Sequence, residues 1–385
     1  MNHFTFNSTK SIQFGVGALA SIGDLALRHV GSKVMLVTDV GLVATGIVDQ
    51  AMASLKAAGI LVEVFDEVEA DPPEKCVLEA VSRAQKSGVA GVIGLGGGSS
   101  LDVAKLVALL APGTEELEEV YGVEKAQGPR LPLVLVPTTA GTGSEVTPIS
   151  IVTTGENEKL GVVSQIIQPD IALLDPELTF GLPPHVTAAT GIDAMVHAIE
   201  AYASSSPNNN PISKVLSTQA LTLLGRSILT AVREGTNHEA RSEMLLGSML
   251  AGLAFANSPV AAVHALAYPL GGHFHIPHGL SNALVLPHVL RFNAETSPQA
   301  YAELAPFVFP DLGEAEPDIQ AARFCDRLAG LSEKCGLRSS LRAMSIPEDA
   351  LPMLARDAMG QTRLLANNPR TLTEEDALAI YRAAY

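Results

Sequence analysis

The feature that most limits the fold is a set of short apolar runs that recur along the first half of the chain. Four of them are apolar at nearly every position and rich in β-branched residues, at 34–38, 61–65, 91–95 and 132–136. Such runs are typical of strands buried on both faces, as in a parallel sheet. Helix-length segments separate them, at 18–28, 41–58, 73–87 and 101–110. The alternation predicts a doubly wound α/β domain.

The pattern changes after the Leu-Pro-Pro sequence at 182–184. Two further strand-like runs precede it, at 149–153 and 171–174. Beyond it the periodicity is helical, at 187–203, 211–229, 240–255, 259–268 and 319–335. A length of 385 residues fits two domains at about 150 residues each. We therefore predict an α/β domain over 1–183 and an all-helical domain over 184–385.

The composition disfavours two classes of partner. The net charge is −16, with no Trp and 4% aromatic residues, whereas nucleic-acid binding needs basic grooves and flat rings. The most membrane-like stretch, 249–272, is interrupted by Asn257, Ser258, Pro259 and His264, which favours a buried helix pair over a membrane span.

The N-terminal region and the cysteines bear on the compartment. Residues 1–17 show no signal-peptide pattern. The three cysteines are an odd number without metal-ligand spacing, which fits a reducing cytoplasm.

Two glycine-rich loops follow predicted strands. Segment 94–102, GLGGGSSLD, leaves a strand and opens a helix whose N-terminus can face a pyrophosphate, with Ser99 or Ser100 as the cap. Segment 137–145, PTTAGTGSE, follows another buried strand, and two such loops are typical of a nucleotide crevice. Asp39, at the end of the run at 34–38, could accept a hydrogen bond from a ribose 2′-hydroxyl and would repel a 2′-phosphate, which favours NAD over NADP. The alternative is an ordinary turn aspartate.

Histidines are concentrated in the predicted helical domain. Five of the ten lie between 264 and 288, and upstream Asp193 and His197 are one helical turn apart on one face. Burying this pair is costly unless a cation neutralises it, so we predict a divalent metal bound by Asp193, His197 and two of the later histidines. Such a donor set suits Fe²⁺, Zn²⁺, Mn²⁺ or Ni²⁺. The remaining histidines would support the ligands, carry protons or lie on the surface. Segment 261–290 contains no Lys or Arg, which favours a substrate without phosphate.

Taken together, the motifs resemble the iron-containing (group III) alcohol dehydrogenase family. They are Gly96-Gly-Gly-Ser99 with Asp102, PTTAGTGSE at 137–145, GIDAMVHAIEAY at 191–202, and HALAYPLGG at 264–272 running on to Pro277-His278-Gly279. The resemblance implies an N-terminal dinucleotide-binding domain and a C-terminal helical domain, with the active site in the cleft between them.

The resemblance also implies roles for individual residues. The metal ligands would be Asp193, His197, His264 and His278. In the cofactor site, the pyrophosphate would be held by Gly96, Gly97, Gly98 and Ser99, with Asp102 in the same motif. The nucleotide crevice would be lined by Thr138, Thr139 and Thr142. Lys159 would lie near the ribose, and Asp39 would select NAD. Fe²⁺ is the implied metal, with Zn²⁺ or another divalent ion as the alternative, and a homodimer is the implied assembly.

Two positions depart from the family pattern. Tyr268 stands where many members carry a second histidine; a phenol, with an ordinary pKa near 10, is a different proton carrier from an imidazole. Asp71-Pro72-Pro73 stands where relatives often have Asn-Pro-Thr.

The predicted function is hydride transfer between a small non-phosphorylated alcohol or aldehyde and NAD, with the alcohol oxygen on the metal. The candidate catalytic residues are His278, as a ligand, with Tyr268 and His273 assisting release of the proton. The alternatives are a glycerol dehydrogenase-like polyol oxidoreductase, a dehydroquinate-synthase-like cyclase, and a metal- or nucleotide-binding protein without turnover. A cyclase acting on a sugar phosphate should place Lys or Arg near the metal.

Overall fold

The computed structural model describes residues 3–155 and 158–385. The chain divides into two compact units. The α/β unit comprises Ser8–Thr139 and Gly143–Gly181, and the helical unit comprises Leu182–Tyr385, Ala140–Thr142 and the described residues of Met1–Asn7.

Two short segments belong to the helical unit although they lie within the predicted first domain. Asn7 N donates to Asn257 Oδ1 at 2.6 Å, and Asn257 Nδ2 donates back to Asn7 O at 2.9 Å. Gly141 approaches Thr190 so closely that a Cβ at Gly141 would lie 2.7 Å from the threonine Cβ. The single boundary at residue 183 stays a prediction. Contacts between residues so far apart in the chain leave no trace in hydrophobic periodicity.

The α/β unit contains nine strands and six α-helices among the described residues. The strands are β1 (Ser11–Phe14), β2 (Lys33–Val37), β3 (Leu61–Phe65), β4 (Gly91–Gly96), β5 (Gly122–Val123), β6 (Leu133–Pro137), β7 (Ile149–Thr154), β8 (Glu158–Val163) and β9 (Ile171–Leu174). The helices are α1 (Ile22–His29), α2 (Val40–Val43), α3 (Ile47–Ala57), α4 (Glu74–Ser87), α5 (Gly98–Leu110) and α6 (Leu117–Val120).

Six strands form the main sheet in the order β1-β9-β6-β4-β2-β3, and every pair in it is parallel. Side chains from alternate strand positions enter two separate apolar cores. On β2, for example, Met35 and Val37 enter the core that includes α4 and α5, while Val34 and Leu36 enter the core that includes α1 and α3. The sheet is therefore buried on both faces, and the predicted fold class is confirmed.

Close packing in this sheet explains a glycine inside a strand. A Cβ at Gly94 of β4 would lie 2.7 Å from a Leu135 methyl of β6 and 2.8 Å from the Ala104 Cβ of α5. Only glycine lets α5 pack this closely against the sheet. The close contact holds the start of α5 next to the end of β4.

Three local features differ from the sequence-based prediction. The segment predicted as one helix over 41–58 is two helices, because Gly46 adopts a left-handed conformation with φ of 80°. Strand β1 was not predicted, since polar Ser11 and Gln13 interrupt its apolar pattern. Strand β7 was predicted, but it belongs to a separate three-stranded sheet in the order β5-β8-β7.

The helical unit is built from ten α-helices among the described residues. They are α7 (Pro184–Ala203), α8 (Pro211–Arg233), α9 (His238–Asn257), α10 (Ala262–Phe274), α11 (His278–Ala294), α12 (Pro298–Val308), α13 (Pro317–Lys334), α14 (Leu351–Ala358), α15 (Thr362–Leu365) and α16 (Glu374–Ala383). Most positions of α7 and α10 are buried, which matches their nearly continuous apolar sequence.

The most apolar part of the chain folds as the predicted pair of buried helices. Helices α9 and α10 meet at 106°. Within the described residues, only α8 is by itself long and apolar enough to span a bilayer on length and composition, and half of its qualifying window is buried in the protein.

A buried polar cluster joins α5 to the segment between β6 and β7. The Lys105 side chain is fully buried, and its Nζ donates to Ser144 Oγ at 2.7 Å and to Ile149 O at 2.5 Å. Asp102 accepts from Ser144 Oγ at 2.6 Å and from Ile151 N at 2.9 Å. These bonds hold the second glycine-rich loop against the helix that follows the first.

Glu145 in the same segment gives the stability of the α/β unit a pH dependence. Burial raises the pKa of this carboxyl from 4.5 to about 7, against the opposing effect of Lys105, and its Oε1 has no hydrogen-bond partner among the described residues. Between these two pH values the folded protein keeps a proton that the unfolded chain releases. Stability therefore falls as the pH rises through this window.

We predict that Glu145→Gln removes this loss. The amide fills the same space without a charge, so the variant should gain stability relative to the wild type on going from pH 5 to pH 8, by on the order of 2–3 kcal/mol. Urea unfolding at both pH values measures the difference. Exposed Glu118, replaced by Gln, is the control and should show no such gain. Equal pH slopes for Glu145→Gln and the wild type would contradict the prediction.

Candidate metal centre and nucleotide-binding loops

Three side chains from three helices of the helical unit converge on one point. Asp193 of α7, His264 of α10 and His278 of α11 each offer a ligand atom, and these atoms lie within 4.8 Å of one another. His278 Nε2 is 3.7 Å from Asp193 Oδ1. Ligands of a tetrahedral ion with bonds of about 2.1 Å are about 3.4 Å apart, so the spacing suits a single cation.

His197, the other predicted ligand, lies beside this group. Its ring stacks on that of His264, with centroids 4.7 Å apart, and on Phe255 at 4.3 Å. Its Nδ1 is 3.2 Å from Gly141 O, so Nδ1 carries the hydrogen and Nε2 the lone pair. Burial lowers the pKa of His197 to about 3, which keeps the imidazole in the neutral form that binds metals. The structure does not include His197 in the converging set of three.

Asn282, which the sequence analysis did not single out, places its side-chain amide against all three converging residues. Its Nδ2 donates to Asp193 Oδ1 at 2.6 Å and lies 3.3 Å from Nε2 of both His264 and His278. An amide NH₂ carries partial positive charge, so the lone pairs of three side chains meet at one electropositive group. Asn282 Oδ1 is buried, and no residue that the structure describes forms a hydrogen bond with it. The position of Asn282, one helical turn after His278, is the signal that could have identified it.

The donor set fits a divalent cation. Burial opposes the charge of Asp193, but the three imidazoles and the Asn282 amide around it lower its pKa overall, so it is ionised at neutral pH. One carboxylate with imidazoles and no thiolate suits Fe²⁺, Zn²⁺, Mn²⁺ and Ni²⁺ alike.

Glu200 is a second residue that the sequence analysis left without a role. It lies on α7, three residues after His197, and is 5% exposed. Its Oε2 is 2.6 Å from His264 Nδ1, and its Oε1 accepts from Val263 N at 2.7 Å. The positions 193, 197 and 200 share one face of a helix, which is the pattern that could have identified it.

The two candidate proton carriers have different surroundings. Tyr268 lies one turn after His264 on α10, and its ring centroid is 5.8 Å from that of His278. His273 lies about half a turn away from His264 around the same helix. Its Nε2 is 2.7 Å from Asp357 Oδ2 of α14. The structure thus places the Tyr268 ring near His278, one of the three converging residues, and pairs His273 with Asp357 of α14.

In the α/β unit, the first glycine-rich loop joins β4 to α5 as predicted, but its cap differs. Helix α5 begins at Gly98, and its N-cap is Gly97, with no side-chain cap. The expectation that Ser99 or Ser100 caps this helix is wrong, because the helix starts before either serine. A helix N-terminus capped only by glycine lets an anion approach its backbone N–H groups.

Asp39, Thr138 and Thr139 lie next to this loop. Asp39 Oδ1 accepts from Leu42 N at 2.9 Å as the N-cap of α2, and Ser100 Oγ donates to its Oδ2 at 3.4 Å. Thr138 N donates to Gly96 O at 2.9 Å, and a Cβ at Gly97 would lie 3.6 Å from the methyl of Thr139. Strands β2, β4 and β6 are neighbours in the sheet, so the residues that follow them meet at one edge.

The other predicted cofactor residues have protein partners of their own. The carboxylate of Asp102 lies in the polar cluster with Ser144. Lys159 of β8, the lysine predicted near the ribose, forms an ion pair with Asp71. Asp71 belongs to the segment 71–73, which departs from the family pattern. Thr142 belongs to the helical unit.

Comparison with known proteins gives matches along nearly the whole chain. Residues 9–176 match the family model described as iron-containing alcohol dehydrogenase, and residues 187–385 match the model of the family's C-terminal part. Long-chain-alcohol dehydrogenase 1 of Geobacillus thermodenitrificans is 42% identical over 378 residues, which cover 96% of this chain and 94% of that enzyme.

Two solved structures extend the comparison to the fold. A 1,3-propanediol oxidoreductase superposes with a TM-score of 0.96 at 35% identity and full coverage of both chains. A sulfoacetaldehyde reductase from Bifidobacterium kashiwanohense, solved with NAD⁺, superposes with a TM-score of 0.87 at 30% identity, covering 99% of this chain and 98% of that one.

The distance between His278 and Asp193 depends on close packing at Gly279. A Cβ there would lie 2.4 Å from Ala189 O and 3.3 Å from the Asp193 Cβ, so Gly279→Ala should push the start of α11 away from α7 and separate His278 from Asp193. We expect metal affinity to fall at least about tenfold and stability by about 1–3 kcal/mol. Chelator competition and thermal unfolding measure the two effects.

Gly330→Ala in α13 is the matched control. Apart from its own stretch of helix, no described residue has an atom within 4 Å of a Cβ at this position. The substitution should leave metal affinity unchanged and add up to about 1 kcal/mol of stability, as alanine does in a helix. Wild-type metal affinity in Gly279→Ala would refute the close-packing argument.

Proposed function

Because this chain belongs to the iron-containing alcohol dehydrogenase family, we propose that it transfers a hydride between a small, non-phosphorylated alcohol and NAD, using a divalent metal held by Asp193, His197, His264 and His278. Membership in the family makes the chain an oxidoreductase of the alcohol dehydrogenase type, as the sequence predicted. The polyol oxidoreductase and cyclase alternatives are no better supported by these matches than the main reading.

The observation that carries the proposal is the convergence of Asp193, His264 and His278. A divalent ion bound there would act as a Lewis acid that lowers the pKa of an alcohol hydroxyl. Asp193 contributes the negative charge, and the imidazoles contribute neutral donors. Buried apolar residues of α7 and α10 surround Asp193 and His264, and the His278 side chain is partly exposed. Oxidation of the alcohol then yields an aldehyde or ketone, a hydride on the nicotinamide and one proton.

Tyr268 is the better of the two candidates for the proton-carrying role. Its ring lies next to His278, whereas the His273 imidazole pairs with Asp357. A phenol hydroxyl beside the ligands could hydrogen-bond the substrate oxygen in either direction of the reaction.

NAD is the cofactor we propose, bound at the edge of the sheet where β2, β4 and β6 end. Gly96, Gly97, Gly98 and Ser99 would bind the pyrophosphate through the N-terminus of α5, with Thr138 and Thr139 beside it. Lys159 would lie near the ribose, and Asp102 would brace the loop. Thr142 stays a candidate for contact with the cofactor. The presence of an NAD⁺ complex among the similar structures supports this proposal.

Iron, a homodimer and a cytoplasmic location complete the proposal. The family description supports Fe²⁺. Strand β1 forms one edge of the main sheet, and Phe14 on it is 40% exposed, so pairing with a second copy would cover an open edge. All three cysteines are buried free thiols, as a reducing compartment allows.

The central test is NADH formation that depends on metal. Protein stripped by a chelator and reloaded anaerobically with Fe²⁺ or Zn²⁺ should reduce NAD⁺ with a panel of small alcohols. His264→Ala should lose bound metal, and its turnover should fall on the order of 10³-fold, reflecting the several kcal/mol that a Lewis acid supplies. His273→Ala, on the opposite face of α10, should keep both. Wild-type turnover by metal-free His264→Ala would refute the proposal.

Cofactor choice gives a separate prediction at Asp39. Serine at this position can still cap α2 but carries no charge, so Asp39→Ser should shift the ratio of kcat/KM for NADP to that for NAD by about tenfold or more toward NADP. Steady-state kinetics with both cofactors measure the ratio. Asp49→Ser, an exposed change in α3, should leave the ratio unchanged. An unchanged ratio in Asp39→Ser would show that Asp39 serves only as a helix cap.

A further inference from the structure

Glu200 is a buried carboxylate without a basic residue to neutralise it. It is 5% exposed, and its one ion-pair contact among the described residues is to the His264 imidazole. Burying an unpaired carboxylate costs several kcal/mol, so a charge in this position needs a compensating positive charge nearby. The other two converging residues, Asp193 and His278, lie on the Nε2 side of the His264 ring.

We propose that Glu200 is a positioning residue for the metal centre, holding His264 with Nδ1 protonated and Nε2 directed at the metal. The inference rests on the proposed function, since it assumes that the group at Asp193, His264 and His278 binds a cation. A carboxylate only accepts hydrogen bonds, so the 2.6 Å contact requires the hydrogen on His264 Nδ1. This leaves the Nε2 lone pair for the metal, and the nearby negative charge makes that lone pair more basic.

The second oxygen of Glu200 fixes the helix that carries His264. Helix α10 has no side-chain cap of its own at Ala261, and Glu200 Oε1 accepts from Val263 N in its first turn. One carboxylate thus satisfies an unpaired N–H of the helix and lies at the positive end of its dipole. Because Glu200 belongs to α7, the same contact sets the distance between Asp193 and His264.

The cavity beside Glu200 is small and polar on one side. It has a volume of about 10 Å³ and is lined in part by Asn293, Tyr301 and Asn368. Asn293 Nδ2 donates to Tyr301 Oη at 3.0 Å, and Asn293 and Asn368 exchange two hydrogen bonds of 3.0 and 2.7 Å. The hydrogen bonds of Glu200 itself go to His264 and Val263.

The test compares Zn²⁺ affinity, measured by competition with a chromogenic chelator, in the full-length wild type and in Glu200→Gln. The amide has the same shape, but it lacks the charge and presents an NH₂ to one of the two donors. We expect Zn²⁺ binding to weaken by about 10- to 100-fold, with melting of the metal-free protein used to confirm folding.

Asp357→Asn is the matched control, because Asp357 forms the other close carboxylate–imidazole pair, with His273. It should leave Zn²⁺ affinity unchanged. Equal affinity in Glu200→Gln and the wild type would overturn the inference while leaving the metal centre intact. A wild type that binds no Zn²⁺ would overturn the metal centre itself, and this inference with it.

The histidine tautomer can be read in the wild type, which covers the case in which Glu200→Gln does not fold. Long-range ¹H–¹⁵N correlation spectra of the Zn²⁺-loaded protein report which ring nitrogen carries hydrogen. The His264 signal is identified by its absence in His264→Ala. We expect Nδ1–H at His264; an Nε2–H tautomer would contradict the proposed role of Glu200.

Discussion

The helical unit depends on how one buried carboxylate is accommodated. Asp193 is 2% exposed in the middle of a helix whose neighbours are almost all apolar. A charge in that position is tolerable only if other groups replace the water it has lost. Imidazoles from α10 and α11 and the Asn282 amide supply that replacement. The close approach of α11 to α7 at Gly279 follows from the need to bring these groups within reach.

In the α/β unit the local structure leaves backbone N–H groups accessible, as the proposed binding of a pyrophosphate requires. Glycines at the start of α5 leave the helix N-terminus without a side-chain cap. The loop that contains them is braced from the side by the buried Lys105 and by Asp102. Asp39, at the end of the neighbouring strand, both caps α2 and contacts Ser100. Rigid support for the loop comes from side chains, and the binding surface comes from the main chain.

The sequence-based predictions fell short where a helix boundary or a direction in space decides the outcome. The caps proposed at Ser99 and Ser100 assumed a helix that begins after the glycines, whereas it begins among them. His273 lies close in sequence to the proposed ligands, and helical geometry turns it toward Asp357, so its role in proton release stays a prediction. Glu200 was overlooked although it shares a helix face with Asp193 and His197. For the last two residues, position along the chain does not give direction in space, and direction is what decides a contact.

The sequence by itself determined the features that depend on short-range periodicity. Short β-branched runs that are apolar at nearly every position indicate strands buried on both faces, and a carboxylate four residues before an imidazole on a helix shares a face with it. The periodicity left open which of the five clustered histidines meet Asp193, and only the resemblance pointed to His264 and His278. The tertiary structure brings these two to Asp193 and places Glu200 against His264. These contacts join residues far apart in the chain. Their geometry is set by helix packing, which local sequence does not encode.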